Sequence, residues 1–187
     1  MRNRWAALAA TVFTGLLSDF VSKMLVLGSL RPGTLKPLIG DAVQLTLVFN
    51  QGAIFSLNPG NWIRGFPTAA FFIAVTVVEL IAVVWFYARM DATRNRLSLW
   101  GLALVAAGAA GNLMDRLLGR PGVVDFIRLD LGFPPFDPWP IFNVADLCIT
   151  LGVALVLLDS APGRGASRSP QGEPPRGQPP AHIGGSQ

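Results

Sequence analysis

The hydrophobic positions of this chain do not fall in short amphipathic runs. They gather into four long blocks, Trp5–Leu30, Phe66–Tyr87, Leu97–Leu118 and Phe142–Leu158. About 20 apolar residues cross a bilayer as a helix, and each block is near that length. The last is the shortest, and its start falls just outside the hydrocarbon. The pattern predicts four transmembrane helices. Between the first two, Arg31–Gly65 is longer than a simple connection requires. Its centre alternates, with Val43, Leu45, Leu47 and Phe49 on one face and Gln44 and Thr46 on the other. A period of two predicts extended structure. Turns are expected at Gln51–Gly52 and Asn58–Pro59–Gly60, and Trp62 and Phe66 suit interfacial anchors. The expected architecture is an all-α membrane protein with four transmembrane helices. A small extracytoplasmic β-rich or extended region lies between helices 1 and 2. Residues 1–160 form one domain, and 161–187, almost all Gly, Pro, Ser, Gln and Arg, form a disordered cytoplasmic tail.

Polar residues interrupt the blocks in a repeated spacing. Asp19, Ser22 and Lys23 stand at i, i+3 and i+4 in the first, and Asn112, Asp115 and Arg116 repeat that spacing in the third. Asn143 and Asp146 share one face at the start of the fourth. Each has a plain structural reading. Asp19 pairs with Lys23, Arg116 is an interfacial anchor with Asp115 as counter-ion, and Asn143 caps a helix whose positive first turn holds Asp146. Ionisable groups in membrane helices are nonetheless costly, and by default they mark function. At 1.5 Å per residue, Asp19 lies roughly 20 Å above the start of its helix. The polar set therefore clusters at the outer surface, with Glu79 in the second block the exception. An ion or proton path needs polar groups at several depths, and this chain lacks them. The small-residue run Ala106–Gly111 reads as a helix packing face. Val123–Val124–Asp125–Phe126–Ile127 sets an acid among apolar neighbours, where desolvation raises its pKa. Phe133–Phe142, rich in proline and aromatics, reads as a stiff interfacial segment.

The 187 residues carry a formal net charge of +4. A basic chain can bind nucleic acid, but the placement of these charges argues for a membrane instead. Arg2, Arg4, Arg89, Arg94, Arg96, Arg164, Arg168 and Arg176 fall on one side of a four-span chain. The positive-inside rule makes that side cytoplasmic, with both termini inside and two loops outside. The first block opens like a signal peptide, but it is too long and is interrupted by Asp19 and Lys23, so a retained helix is expected. Cys148 is the single cysteine, which excludes an internal disulfide and reads as packing. The single histidine, His182, sits in the tail.

That inventory removes most zinc, triad and dyad schemes. Neither a metal nor any other cofactor is expected. Paired carboxylates remain. Two close together do not easily both ionise, so one holds a proton while the other activates water against a carbonyl. The residues alone leave open which acids pair, Asp115 included. They also leave open a small carrier or binding protein with an outer polar pocket, and a scaffold whose acids only fix packing.

Five segments in order carry a resemblance: Asp19–Phe20–Val21–Ser22–Lys23, Asn50–Gln51–Gly52–Ala53–Ile54–Phe55, Gly111–Asn112–Leu113–Met114–Asp115–Arg116, Val124–Asp125–Phe126 and Phe142–Asn143–Val144–Ala145–Asp146. Over residues 5 to 158 the chain resembles the lipoprotein signal peptidase (signal peptidase II) family. The resemblance implies an aspartic endopeptidase of the bacterial inner membrane with its site at the outer, periplasmic face. It implies cleavage of lipid-modified prolipoproteins just before the modified cysteine. It places the catalytic pair at Asp125 and Asp146. Supporting or substrate-binding roles fall to Asp19, Lys23, Asn50, Gly52, Asn112, Asp115, Arg116 and Asn143. The expected partners are prolipoprotein substrates and membrane lipids, the protein acting as a monomer without nucleic acid.

Overall fold

The structure, a computed structural model, describes residues 3–52, 63, 66–132 and 139–161. The turn expected at Asn58–Gly60, the Trp62 anchor, positions 53–55 of the second motif, 133–138 and the tail beyond Ala161 lie outside the described residues. The elements run α1 (Arg4–Ser29), β1 (Lys36–Ile39), β2 (Val43–Asn50), α2 (Thr68–Arg89), α3 (Arg96–Leu117), β3 (Val123–Leu129) and α4 (Val144–Ser160). Each helix matches an apolar block to within about two residues, the usual uncertainty of helix ends. Three of them, α1, α2 and α3, are long and apolar enough to cross a membrane. The fourth has 17 residues. Large apolar side chains stay exposed along α1, α2 and α4, Phe13, Val78 and Leu157 among them. An outward apolar surface of this kind suits lipid rather than water.

Helix α3 is the hub and packs against the other three. Its small residues explain why. A Cβ on Gly101 would stand 2.5 Å from the carbonyl oxygen of Gly152, and one on Gly152 would stand 2.5 Å from that of Gly101. About two turns further along, a Cβ on Gly108 would meet the carbonyl oxygen of Ala145 at still closer range. Without side chains at these crossings, α3 and α4 approach backbone to backbone. At the opposite end from the sheet, Arg4 donates to the carbonyls of Met90 (2.9 Å) and Ala88 (3.2 Å), and the Tyr87 hydroxyl donates to that of Arg4 (2.6 Å). Asp159 of α4 accepts from the backbone and hydroxyl of Ser98, and so caps the start of α3.

The sheet has strand order β1-β2-β3, both pairs antiparallel. The alternation of Val43–Phe49 does form a strand. A register shift between Leu45 and Val48 interrupts it, so both Thr46 and Leu47 are buried. One expectation needs correcting. The β region is not confined to the connection between the first two helices. Its third strand, β3, comes from the connection between α3 and α4. Val123, Val124, Asp125 and Phe126 are all buried, so β3 shows no alternation to read. Leu47, Val124 and Phe126 pack on Val26 near the end of α1. The sheet thus sits over that end of the bundle and brings Asp125 to the helices.

Candidate active site

Lys23 is fully buried and anchors the site. Its Nζ lies 2.6 Å from Asp19 Oδ2 and 2.8 Å from Asp115 Oδ2, and donates to Asn112 Oδ1 at 3.3 Å. A buried cation needs such company, because its desolvation costs several kcal/mol. The two acids use their remaining lone pairs on backbone. Asp19 Oδ1 accepts from the Ala145 amide at 2.9 Å, and Asp115 Oδ2 from the Val124 amide at 3.1 Å. Ala145 precedes Asp146, and Val124 precedes Asp125. The ion cluster therefore grips the backbone one residue before each of those two acids.

Two asparagines then join them. Asn143 donates from Nδ2 to Asp125 Oδ1 at 2.7 Å and to Asn112 Oδ1 at 3.2 Å. Its Oδ1 accepts from the Asp146 amide at 2.9 Å, while its own amide donates to Asp146 Oδ2 at 3.1 Å. This reciprocal pair is a capping box at the start of α4. Capping and site-building are the same contacts here. Asn112 donates to Asp146 Oδ1 at 2.9 Å, and Asn50 donates to Asp125 Oδ2 at 3.0 Å. Both Nδ2 hydrogens of Asn143 are used, which fixes its amide orientation.

Asp125 is 3% exposed. Burial, and then the charge of Asp146, push its pKa up to about 7, against the amides of Asn50 and Asn143 and the charge of Lys23. The expected desolvation of this acid is present. Arg116 requires a correction. It is not the counter-ion of Asp115, whose cationic partners are Lys23 and Arg120. Successive helix residues point about 100° apart, so neighbours in sequence do not face each other. Arg116 instead donates to the carbonyls of Asn112 (2.9 Å) and Gly52 (3.4 Å) and lies over the Phe72 ring. Gly52 is buried, and its amide donates to Asn50 Oδ1 at 3.0 Å. Arg116 and Asn50 thus hold the turn that closes β2. Beside it lies a cavity of about 170 Å³ bounded by Asn50, Thr68, Phe72, Arg116 and Arg120. Neither Asp125 nor Asp146 lines it.

All ten residues singled out in the sequence fall in this one network. Sequence reading missed Arg120. It stands five residues after Asp115, beyond the end of α3, where helical spacing gives no guide, and the chain turns it back onto that carboxylate. Among the described residues, no group of three or more His, Cys, Asp or Glu side chains is placed to hold a metal ion.

The family described as Signal peptidase (SPase) II matches residues 11–161. The lipoprotein signal peptidase of Brevibacillus brevis is 38% identical over 156 residues, covering 83% of this chain and 93% of the relative. That of Azoarcus sp. is 39% identical over 175 residues, covering 92% and 89%. A bacterial membrane enzyme solved by the in meso method at 1.9 Å superimposes with a TM-score of 0.71 at 29% identity, covering 85% of this chain and 95% of that one. A second such structure, at 2.3 Å, gives 0.73 at 28%, covering 90% and 95%. With a family match over most of its length and relatives this similar, the chain belongs to the signal peptidase II family, a family of membrane proteases.

Proposed function

We propose that this protease is an aspartic endopeptidase that removes the signal peptide of diacylglyceryl-modified prolipoproteins, cutting before the lipid-modified cysteine. The observation that carries the reading is the pairing of Asp125 and Asp146 through Asn143, deep in a network that leaves Asp125 able to hold a proton near neutral pH. Asp146 takes a proton from water, and the oxygen attacks the scissile carbonyl carbon. Asp125 gives its proton to the carbonyl oxygen as the carbon becomes tetrahedral, leaving a gem-diol. Collapse of the intermediate breaks the C–N bond: the proton held by Asp146 goes to the leaving amine, and one gem-diol hydroxyl returns its proton to Asp125 as the C=O bond re-forms. Asn112 and Asn143 keep the two carboxyls oriented, and the Lys23 cluster holds the backbone beneath them.

Residues 1–160 act as one domain with four spans, α4 included, and function as a monomer in the bacterial cell membrane. Both termini are cytoplasmic and the aspartates stand at the outer face. Three features support this topology. Arginines gather at the Arg4–Asp91 end, the sheet sits at the other, and α4 exposes Leu147, Leu151, Val153 and Leu157. A substrate anchored by its acyl chains reaches the aspartates at the right depth.

The test is cleavage of a lipid-modified precursor by purified protein in a bilayer. Asp125→Asn and Asp146→Asn should each lower turnover by several orders of magnitude. The double variant should be little worse than either, since the pair acts as a unit. Substantial turnover by either single variant, with the amide intact, would sink the assignment.

A further inference from the structure

The edge strand β1 is not used by the network above, yet it exposes Leu38 (60%) and Ile39 (66%), and Leu35 (49%) is exposed just before it. Three features of this edge say what covers it. First, it follows an exposed apolar helix surface closely along the chain. Met24 and Leu25 are exposed at 47% and 67% on the last turns of α1, and the chain reaches Leu35 six residues after that helix ends. Second, the charges at its start are cationic. Arg31 and Lys36 flank Leu35 and both are exposed, while Asp41 lies at the far turn of the hairpin. Third, the edge is a poor template for another strand. It has four residues, Pro37 lacks an amide hydrogen, and its register shifts between Pro37 and Ile39.

We propose that the β1 edge is a lipid-binding surface. Leu35, Leu38 and Ile39 enter the outer leaflet at headgroup depth, and Arg31 and Lys36 bind the phosphates of anionic phospholipids. The surface rests on the topology proposed above, with the sheet on the outer side. Its consequence is a fixed height of the sheet over the bilayer, and so of Asp125 on the strand two places in. Apolar side chains at an interface and adjacent cations act together, because neither signal alone anchors firmly.

The test uses the full chain with Cys148→Ala and Leu38→Cys, labelled at position 38 with an environment-sensitive fluorophore. It is reconstituted at one copy per disc in bilayers of phosphatidylcholine, with or without phosphatidylglycerol. Blue-shifted emission is expected, quenched more by nitroxide near the headgroup than by nitroxide deep in the chains. Lys36→Gln should lower the inserted fraction ratio about fivefold in phosphatidylglycerol discs, the equivalent of about 1 kcal/mol, and leave it unchanged in phosphatidylcholine. Emission typical of water without lipid quenching would overturn the proposal. So would protection that appears only with two copies per disc, which would mark a contact between copies. These readouts do not depend on cleavage or on sidedness. The side is read separately, from Thr93→Cys in the same cysteine-free background, which should react with an impermeant thiol reagent only after cells are opened. Reaction in intact cells would overturn the topology while leaving the lipid contact measurable.

Discussion

Replacing Asn50 by leucine removes one of the two amide donors on Asp125 and leaves the other, from Asn143, in place. Those donors favour the ionised carboxylate, so losing one raises the pKa. A hydrogen bond to a charged group contributes about 1.5–3 kcal/mol, and about 1.4 kcal/mol equals one pH unit. The Asn50 contact, at 3.0 Å, is longer than the 2.7 Å contact from Asn143, which puts its share at the lower end, about one unit. Asp125 stands at about 7 in the native protein, and a step that needs its proton loses rate tenfold per unit above that. In Asn50→Leu the alkaline limb should therefore begin near pH 8. The assay is kcat/KM for a lipidated precursor in nanodiscs from about pH 5 to about pH 9, since that ratio reports ionisation of the free enzyme. Maximal activity will also drop, because Asn50 holds the Gly52 amide, but a drop alone does not move the limb. A wild-type profile flat to about pH 9, or a variant limb at the same or lower pH, would refute the assignment of Asp125 as the proton donor.

The same raised pKa has a consequence for stability. The native state keeps the Asp125 proton that the unfolded chain releases above 3.8, so stability should fall between about pH 4 and about pH 7, by at most roughly 4 kcal/mol. Asp125→Asn should flatten that part of the thermal-midpoint profile. Lys23→Met leaves Asp19 and Asp115 buried without their shared cation, and should cost about 3–5 kcal/mol, seen as loss of folded protein on detergent size exclusion. Gly152→Leu drives a side chain into the Gly101 carbonyl and Val105, and should lower the thermal midpoint far more than Gly28→Leu, which meets open space. A precursor without its lipid should be cut at least about a hundredfold less efficiently than the lipidated form in the same bilayer, a loss of roughly 2.7 kcal/mol. Equal rates would mean that the peptide alone is recognised.

The sequence by itself determined the helices, because a span needs a length of apolar residues that no other element requires. It also marked α3 as a packing helix, since the small residues of Ala106–Gly111 let neighbours approach closely. It marked Asp19, Lys23, Asn112, Asp115, Asn143 and Asp146 as unusual, because each is costly at the depth its helix gives it. Partnership was another matter. Helical spacing pairs residues within one element, and so it found Asp19 with Lys23. The pairing of Asp115 with Lys23 and Arg120, the reach of Asn143 to Asp125, and the grip of Asp19 on Ala145 each cross between elements. Strand β3 had the least to show. It is buried along its first four residues, so its pattern is that of any apolar run, and only the sheet and the end of α1 make it a strand. The residues alone left open which acids pair, the resemblance named Asp125 and Asp146, and only the tertiary structure shows the contacts that join them. The physical reason is that an acid's role is set by the groups that desolvate and orient it, and here those groups come from α1, β2, α3 and α4 at once.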